Sequence, residues 1–90
     1  IIELDSNQLK SYIGVYIFDK DNSLIISKQG DKLYGQLVGN LHHRVHPIGE
    51  DTFSYDVLNA TITFKKDKRE KVSRLEFTQG DSMQVAIKAN

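Results

Sequence analysis

His42-His43-Arg44-Val45-His46 is the only cluster in the 90-residue chain whose residue types could suggest a metal. On a helix, His42 and His46 would share one face a turn apart. Pro47 follows at once and the surrounding sequence has strand character, so a strand is the better reading. In a strand His42, Arg44 and His46 point one way and His43 the other. At about 3.3 Å per residue, His42 and His46 are then roughly 13 Å apart, too far to share one ion, and Arg44 between them repels a cation. No metal is expected there. Two readings stay open: a solvated polar face, or a local basic patch that strengthens as the imidazoles protonate below about pH 6.5 and meets an anionic ligand or a partner domain. Tyr12 and Tyr16 join His42, Arg44 and His46 as candidate binding residues on the surface, although packing with the hydroxyl at a rim is the default for a strand tyrosine.

The motifs of catalysis are missing. No Ser is followed three residues on by Lys, and the chain has no G-x-S-x-G, no H-E-x-x-H and no Gly-rich phosphate loop. No pair of acid and base stands out from the ordinary scatter of charges. An enzyme is therefore not expected, and no cofactor is implied. Lys65-Lys66-Asp67-Lys68-Arg69-Glu70-Lys71 reads as a solvated hairpin tip, with a weak phosphate or membrane contact as the alternative.

Twelve basic residues balance twelve acidic ones. A nucleic-acid binder needs a basic excess to displace counterions, so DNA and RNA are set aside as partners. The longest uncharged apolar run, Tyr12 to Phe18, is seven residues, about a third of the roughly 20 that a bilayer span requires. There is no Cys, hence no disulfide and no thiolate metal site; this fits a cytoplasmic protein and equally a periplasmic one. Asn59-Ala60-Thr61 is a glycosylation sequon with meaning only in a eukaryotic secretory setting. Ninety residues make one domain. The chain starts at Ile1 and carries no basic leader, so it is expected to be a fragment of a longer protein, cut at a domain boundary.

The elements that would position these residues are legible in the pattern. Leu4 to Ser11 suggests a short helix, capped by Asp5 or Ser6, with Leu4, Leu9 and Tyr12 on its apolar side. From Tyr12 onward the period becomes two, interrupted by seven turn clusters. These predict strands at about 12–18, 23–29, 32–38, 41–47, 52–56, 60–66, 71–79 and 82–88. The short connections imply an antiparallel meander, and closing the first strand on the last removes both edges. Gln-Gly-Asp recurs at Gln29-Gly30-Asp31 and Gln79-Gly80-Asp81, one turn solution used twice. Gly14 and Gly35 lie inside strands, where bending is the expected need. The inward row is read as Ile13, Val15, Ile17, Ile26, Leu33, Leu37, Val45, Phe53, Ile62, Phe64, Leu75, Phe77, Met83, Val85 and Ile87. Residues this bulky predict a filled interior without a sizeable cavity. Tyr12, Tyr16 and Phe18 then fall outside as an aromatic patch for a neighbouring domain to cover.

The helix followed by Gly14-Val15-Tyr16 resembles the lipocalin-like arrangement, in which a helical turn closes the barrel base. That resemblance, taken strictly, turns Tyr16 inward. The whole layout runs from Leu9-x-x-Tyr12-x-Gly14-x-Tyr16, through Lys32-Leu33-Tyr34, Pro47-Ile48-Gly49-Glu50-Asp51-Thr52-Phe53 and Ile62-Thr63-Phe64, to Gln79-Gly80 and Val85-Ala86-Ile87-Lys88. It resembles a family of small β-domains of unknown function found C-terminal to bacterial serine hydrolases of the β-lactamase and penicillin-binding-protein type. The His42-His43 segment is more polar than that family leads one to expect before Pro47-Ile48. The resemblance implies an all-β, lipocalin-like meander barrel of about eight short strands. It also implies a non-catalytic accessory domain packed on a catalytic domain of the same chain, and a periplasmic or extracellular bacterial location. The alternative is a small lipocalin-like module that binds an apolar or amphipathic small molecule in the barrel mouth.

Overall fold

The computed structural model describes residues 6–39 and 42–89. A helical turn, α1 (Ser6–Lys10), precedes eight strands: β1 (Gly14–Asp19), β2 (Asn22–Gln29), β3 (Lys32–Leu37), β4 (His43–Gly49), β5 (Thr52–Tyr55), β6 (Ala60–Lys66), β7 (Val72–Gln79) and β8 (Ser82–Lys88). They form one closed antiparallel barrel in sequence order. The expected fold class is the observed one. Leu4, Asp5, Asn40, Leu41 and the Ser6 side chain, which the sequence reading placed in the helix cap, a turn and the fourth strand, lie outside the described residues.

Closure is made by Tyr16 opposite Lys88 and Ile17 opposite Ile87, with Ala89 N–H donating to the Val15 carbonyl at 2.8 Å. The two Gln-Gly-Asp turns adopt one conformation, with Gly30 at φ 63° and Gly80 at φ 61°. That left-handed geometry is what a tight hairpin asks of glycine. The meander sends the β1–β2, β3–β4, β5–β6 and β7–β8 turns to one end of the barrel. Helix α1 and the other three turns lie at the opposite end.

That second end is sealed. Leu9 and Tyr12 are buried, and the Tyr12 ring stacks on Phe64 at 4.4 Å and meets Phe53 edge-on at 5.2 Å. Its hydroxyl donates to Asp51 Oδ1 at 2.6 Å. Asp51 sits in the β4–β5 turn at φ 57°, where its own carbonyl accepts from Phe64 N–H at 2.8 Å. Tyr16 extends the cluster, meeting Phe64 edge-on at 5.7 Å and donating its hydroxyl to the Tyr12 carbonyl at 2.7 Å. Each buried hydroxyl thus has a partner, without which its burial would cost on the order of 1–3 kcal/mol.

Two rows of the expected core are inverted. Ile26, Leu33, Val45, Phe53, Ile62, Phe64, Leu75 and Phe77 are buried, and Leu37 packs on them. Ile13, Ile17, Met83, Val85 and Ile87 are instead exposed, and Val15 is half-exposed on the outer face. The inward positions of the first strand and its approach are Tyr12, Tyr16 and Phe18, as the strict lipocalin-like register requires, so these three form no outer patch. Interior volume explains the inversion. An eight-strand barrel has room only for side chains that fill it. Rings from Tyr12, Tyr16, Phe53, Tyr55, Phe64 and Phe77 take that room, leaving β8 space for the small Ala86.

Gly35 also has a different role from the expected bend. A Cβ there would stand 2.9 Å from Tyr55 Cε2 and 3.5 Å from Leu24 Cδ1, while the Tyr55 hydroxyl donates to the Gly35 carbonyl at 2.9 Å. Gly35 is the notch that receives a ring. Gly35→Ala should therefore destabilise by roughly 1–3 kcal/mol through overpacking, read from the urea midpoint. An unshifted midpoint would mean that Tyr55 is free to move aside.

Candidate functional site

Arg44 and His46 lie on the outer face of β3–β4–β5, while Val45 between them is buried in the core. Arg44 stands opposite Tyr34, and the His42 ring meets Tyr34 edge-on at 5.2 Å. His46 Nε2 is 3.7 Å from Asp56 Oδ2, and Ser54 Oγ donates to Asp56 Oδ1. Ser54, Asp56 and His46 are the residue types of a hydrolytic triad, but the connectivity is wrong. The hydroxyl gives its hydrogen to the carboxylate instead of the imidazole, so the Ser–His–Asp order of a triad is not formed. Protonated His46 would pair with Asp56, which removes it from any basic patch. Among the described residues, no three His, Asp or Glu are grouped to hold a metal ion.

Tyr12 and Tyr16 do not belong to a surface site. Both are 0 % exposed. Burial, reinforced at Tyr12 by the hydrogen bond to Asp51, pushes both phenols well above their ordinary pKa. The structure thus separates them from His42, Arg44 and His46.

Two other features come forward. The first is the outer face of β8–β1–β2. Val15 stands opposite Ile25 and Ile17 opposite Ile87, with Val85 and Met83 continuing along β8. Ile17 is 42 % exposed, Ile25 40 %, Met83 56 % and Ile87 55 %. Isolated exposed aliphatics are ordinary, but a contiguous set across three neighbouring strands is not. The set ends at β7, where Arg74 and Glu76 stand opposite Ile87 and Val85.

The second feature is the open end of the barrel. A half-open cavity of about 560 Å³ lies there, with Phe18, Leu37, Leu58, Phe77 and, at its edge, Val85 as its apolar wall. Phe18 and Phe77 meet edge-on at 5.8 Å. Asp19, Asn22, Gln79 and Gln84 supply its polar side. The expected absence of a sizeable cavity fails at this end. Inward rows that are apolar lower in the barrel (Leu24 and Ile26 on β2, Leu75 and Phe77 on β7, Ala86 on β8) end in carboxamides here, and amides cannot close an apolar core without partners. Alternation hides this in the sequence: Met83-x-Val85-x-Ile87 is the apolar row of β8 and reads as inward, which puts Gln84 outside.

The family model for the domain of unknown function DUF3471 matches residues 2–89. The chain belongs to the DUF3471 family. No curated protein matches it. Membership assigns no activity. Among the described residues of this DUF3471 domain, no helix is long and apolar enough to cross a membrane.

Proposed function

We propose that this DUF3471 domain is a non-catalytic accessory domain that packs, through the outer face of β8–β1–β2, on a catalytic domain of the same polypeptide. The observation that carries the reading is the contiguous exposed row of Ile17, Ile25, Met83, Val85 and Ile87, bounded by charged β7 residues. An apolar centre with a polar rim is the anatomy of an interdomain contact. Resemblance to the small domains that follow β-lactamase-type and penicillin-binding-protein-type enzymes makes that neighbour a bacterial serine hydrolase, in a periplasmic or extracellular setting.

The encoding gene tests the neighbour. It should specify, upstream of Ile1, a region containing S-x-x-K and a later Y-x-N or its equivalent; a gene that starts near Ile1 would remove this reading. The face has its own test. Ile25→Glu with Ile87→Glu, which are not cross-strand partners, should change the isolated domain by no more than about 1 kcal/mol per site, as for other exposed positions. In the full-length protein the same pair should expose the β8–β1–β2 face to hydrogen exchange and lower the melting temperature of the catalytic domain. Unchanged exchange and melting would show that the face covers nothing.

A second reading, a small binding module, is favoured by the cavity at the open end. Its volume lies within the roughly 300–1,000 Å³ usual for small-molecule sites. Saturable binding of an apolar dye with a rise in melting temperature is the expected result; neither occurring would dismiss it.

A further inference from the structure

We propose that the open end of the barrel binds a compact amphipathic cation, an aromatic or branched aliphatic body bearing an ammonium-type head that donates hydrogen bonds. The proposal rests on the binding-module reading and specifies the ligand's chemistry.

The body follows from the wall. Phe18 and Phe77 present an edge-to-face pair, and Leu37 and Leu58 are only partly buried beside it. These groups gain by covering an apolar surface.

The head follows from how the polar groups are already committed. Asn22 directs its amide nitrogen to both Asp19 oxygens, at 3.0 and 3.1 Å. Gln79 donates its amide nitrogen to the Leu58 carbonyl at 2.6 Å. Among the described residues no donor reaches either carbonyl oxygen, which leaves both to accept from a ligand. Asp19 adds a carboxylate whose Oδ1 accepts from the Asp21 and Asn22 backbone N–H groups at 2.8 and 3.0 Å. The Asn22 carboxamide first, then the Asp21 N–H, hold its carboxyl below the usual carboxylate range, so it stays ionised at neutral pH. The cavity wall is rich in acceptors, and a donor head is their complement.

Charge around the rim agrees. The four turns at this end carry Asp19, Asp21, Asp56 and Asp81 against Lys20. Four carboxylates and one ammonium make the rim net acidic in a chain whose overall charge is zero. The basic run Lys65 to Lys71 lies at the opposite, sealed end. An acidic rim draws cations toward the mouth and keeps anions out.

The test titrates the domain with naphthylmethylammonium, naphthamide and naphthoate, followed by NMR. The ammonium compound should saturably shift Phe18, Leu37, Leu58, Phe77 and the Gln84 carboxamide. It should bind on the order of tenfold more tightly than naphthoate at low salt, with the gap narrowing as salt rises. Asp19→Asn should narrow the gap as well, and Leu58→Trp should abolish binding of all three by filling the mouth. Gln84→Ala, at an exposed position, gives a second variant that keeps the fold and should weaken the ammonium compound. Saturable shifts at the mouth with naphthoate equal or preferred would overturn the head-group assignment while leaving the binding module standing. No saturable shift with any probe would overturn both, and shifts confined to Ile17, Ile25 and Ile87 would move the site to the outer face and end this proposal.

Discussion

Phe64→Ala should lower the stability of the domain by about 3–5 kcal/mol, the usual range for deleting a buried phenyl ring. Phe64 is 2 % exposed and touches three rings: Tyr12 stacked at 4.4 Å, Phe53 at 5.6 Å and Tyr16 at 5.7 Å. Its neighbours are held in place by the hydroxyl bonds Tyr16 to the Tyr12 carbonyl and Tyr12 to Asp51. They cannot collapse into the space without breaking those bonds, so the cost should fall toward the upper end. A domain of this size has roughly 5–13 kcal/mol in all. The melting temperature should drop on the order of 15 °C or more, at about 4–8 °C per kcal/mol. Ile87→Ala is the matched control. Ile87 is 55 % exposed, and its truncation should cost less than about 1 kcal/mol. Calorimetry on the two variants separates the assignments. Equal losses would mean that β8 turns its aliphatic row inward and that the Tyr12–Tyr16–Phe64 cluster is not the core.

The contrast between these two positions also explains what the sequence could and could not reveal. The turn residues spoke clearly. Gly30-Asp31, Gly80-Asp81 and the other breaks fixed eight strands close to where they are observed, because backbone conformation there is decided by the local residue. Facing was harder. Period two states that Ile13, Val15 and Ile17 share a face; it does not state which face is in. On β6, Ile62 and Phe64 alternate with Thr61 and Thr63, and polarity settles the matter. On β1 both rows are apolar, and on β8 the apolar row is the outer one, so polarity misleads. The decision rests on interior volume and on hydroxyl partners distant in sequence: Asp51 for Tyr12, Gly35 for Tyr55. The same inversion leaves both candidate surfaces. Apolar side chains of β1 and β8 turned outward make the face of β8–β1–β2. Gln84 turned inward helps keep the mouth open. On β8 the departure from the polarity rule runs in both directions at once, with Met83, Val85 and Ile87 outward and Gln84 inward.

The buried phenols set the alkaline limit of the fold. Tyr12, Tyr16 and Tyr55 are raised above their ordinary value near 10, burial being the largest cause at each. The neutral form is thus the one the native state holds, and the unfolded chain loses its phenol protons first as pH rises. The contribution is therefore fully present below about pH 10 and is lost progressively above it. Each phenol that is ionised only in the unfolded chain costs about 1.4 kcal/mol per pH unit, so Tyr12 and Tyr16 together give about 3 kcal/mol per unit, and Tyr55 adds to the slope in the same direction. Set against roughly 5–13 kcal/mol of total stability, the barrel should unfold cooperatively within a few units above pH 10. Tyr16→Phe should reduce the slope by about 1.4 kcal/mol per unit. At neutral pH it should cost about 1–3 kcal/mol, because the Tyr12 carbonyl loses its buried donor. Urea unfolding at a series of pH values, with tyrosinate absorbance recorded alongside, measures slope and ionisation together. Three phenols that ionise near their ordinary value in a barrel still folded would contradict their burial, and with it the inward register of β1 on which both the closed base and the exposed aliphatic face depend.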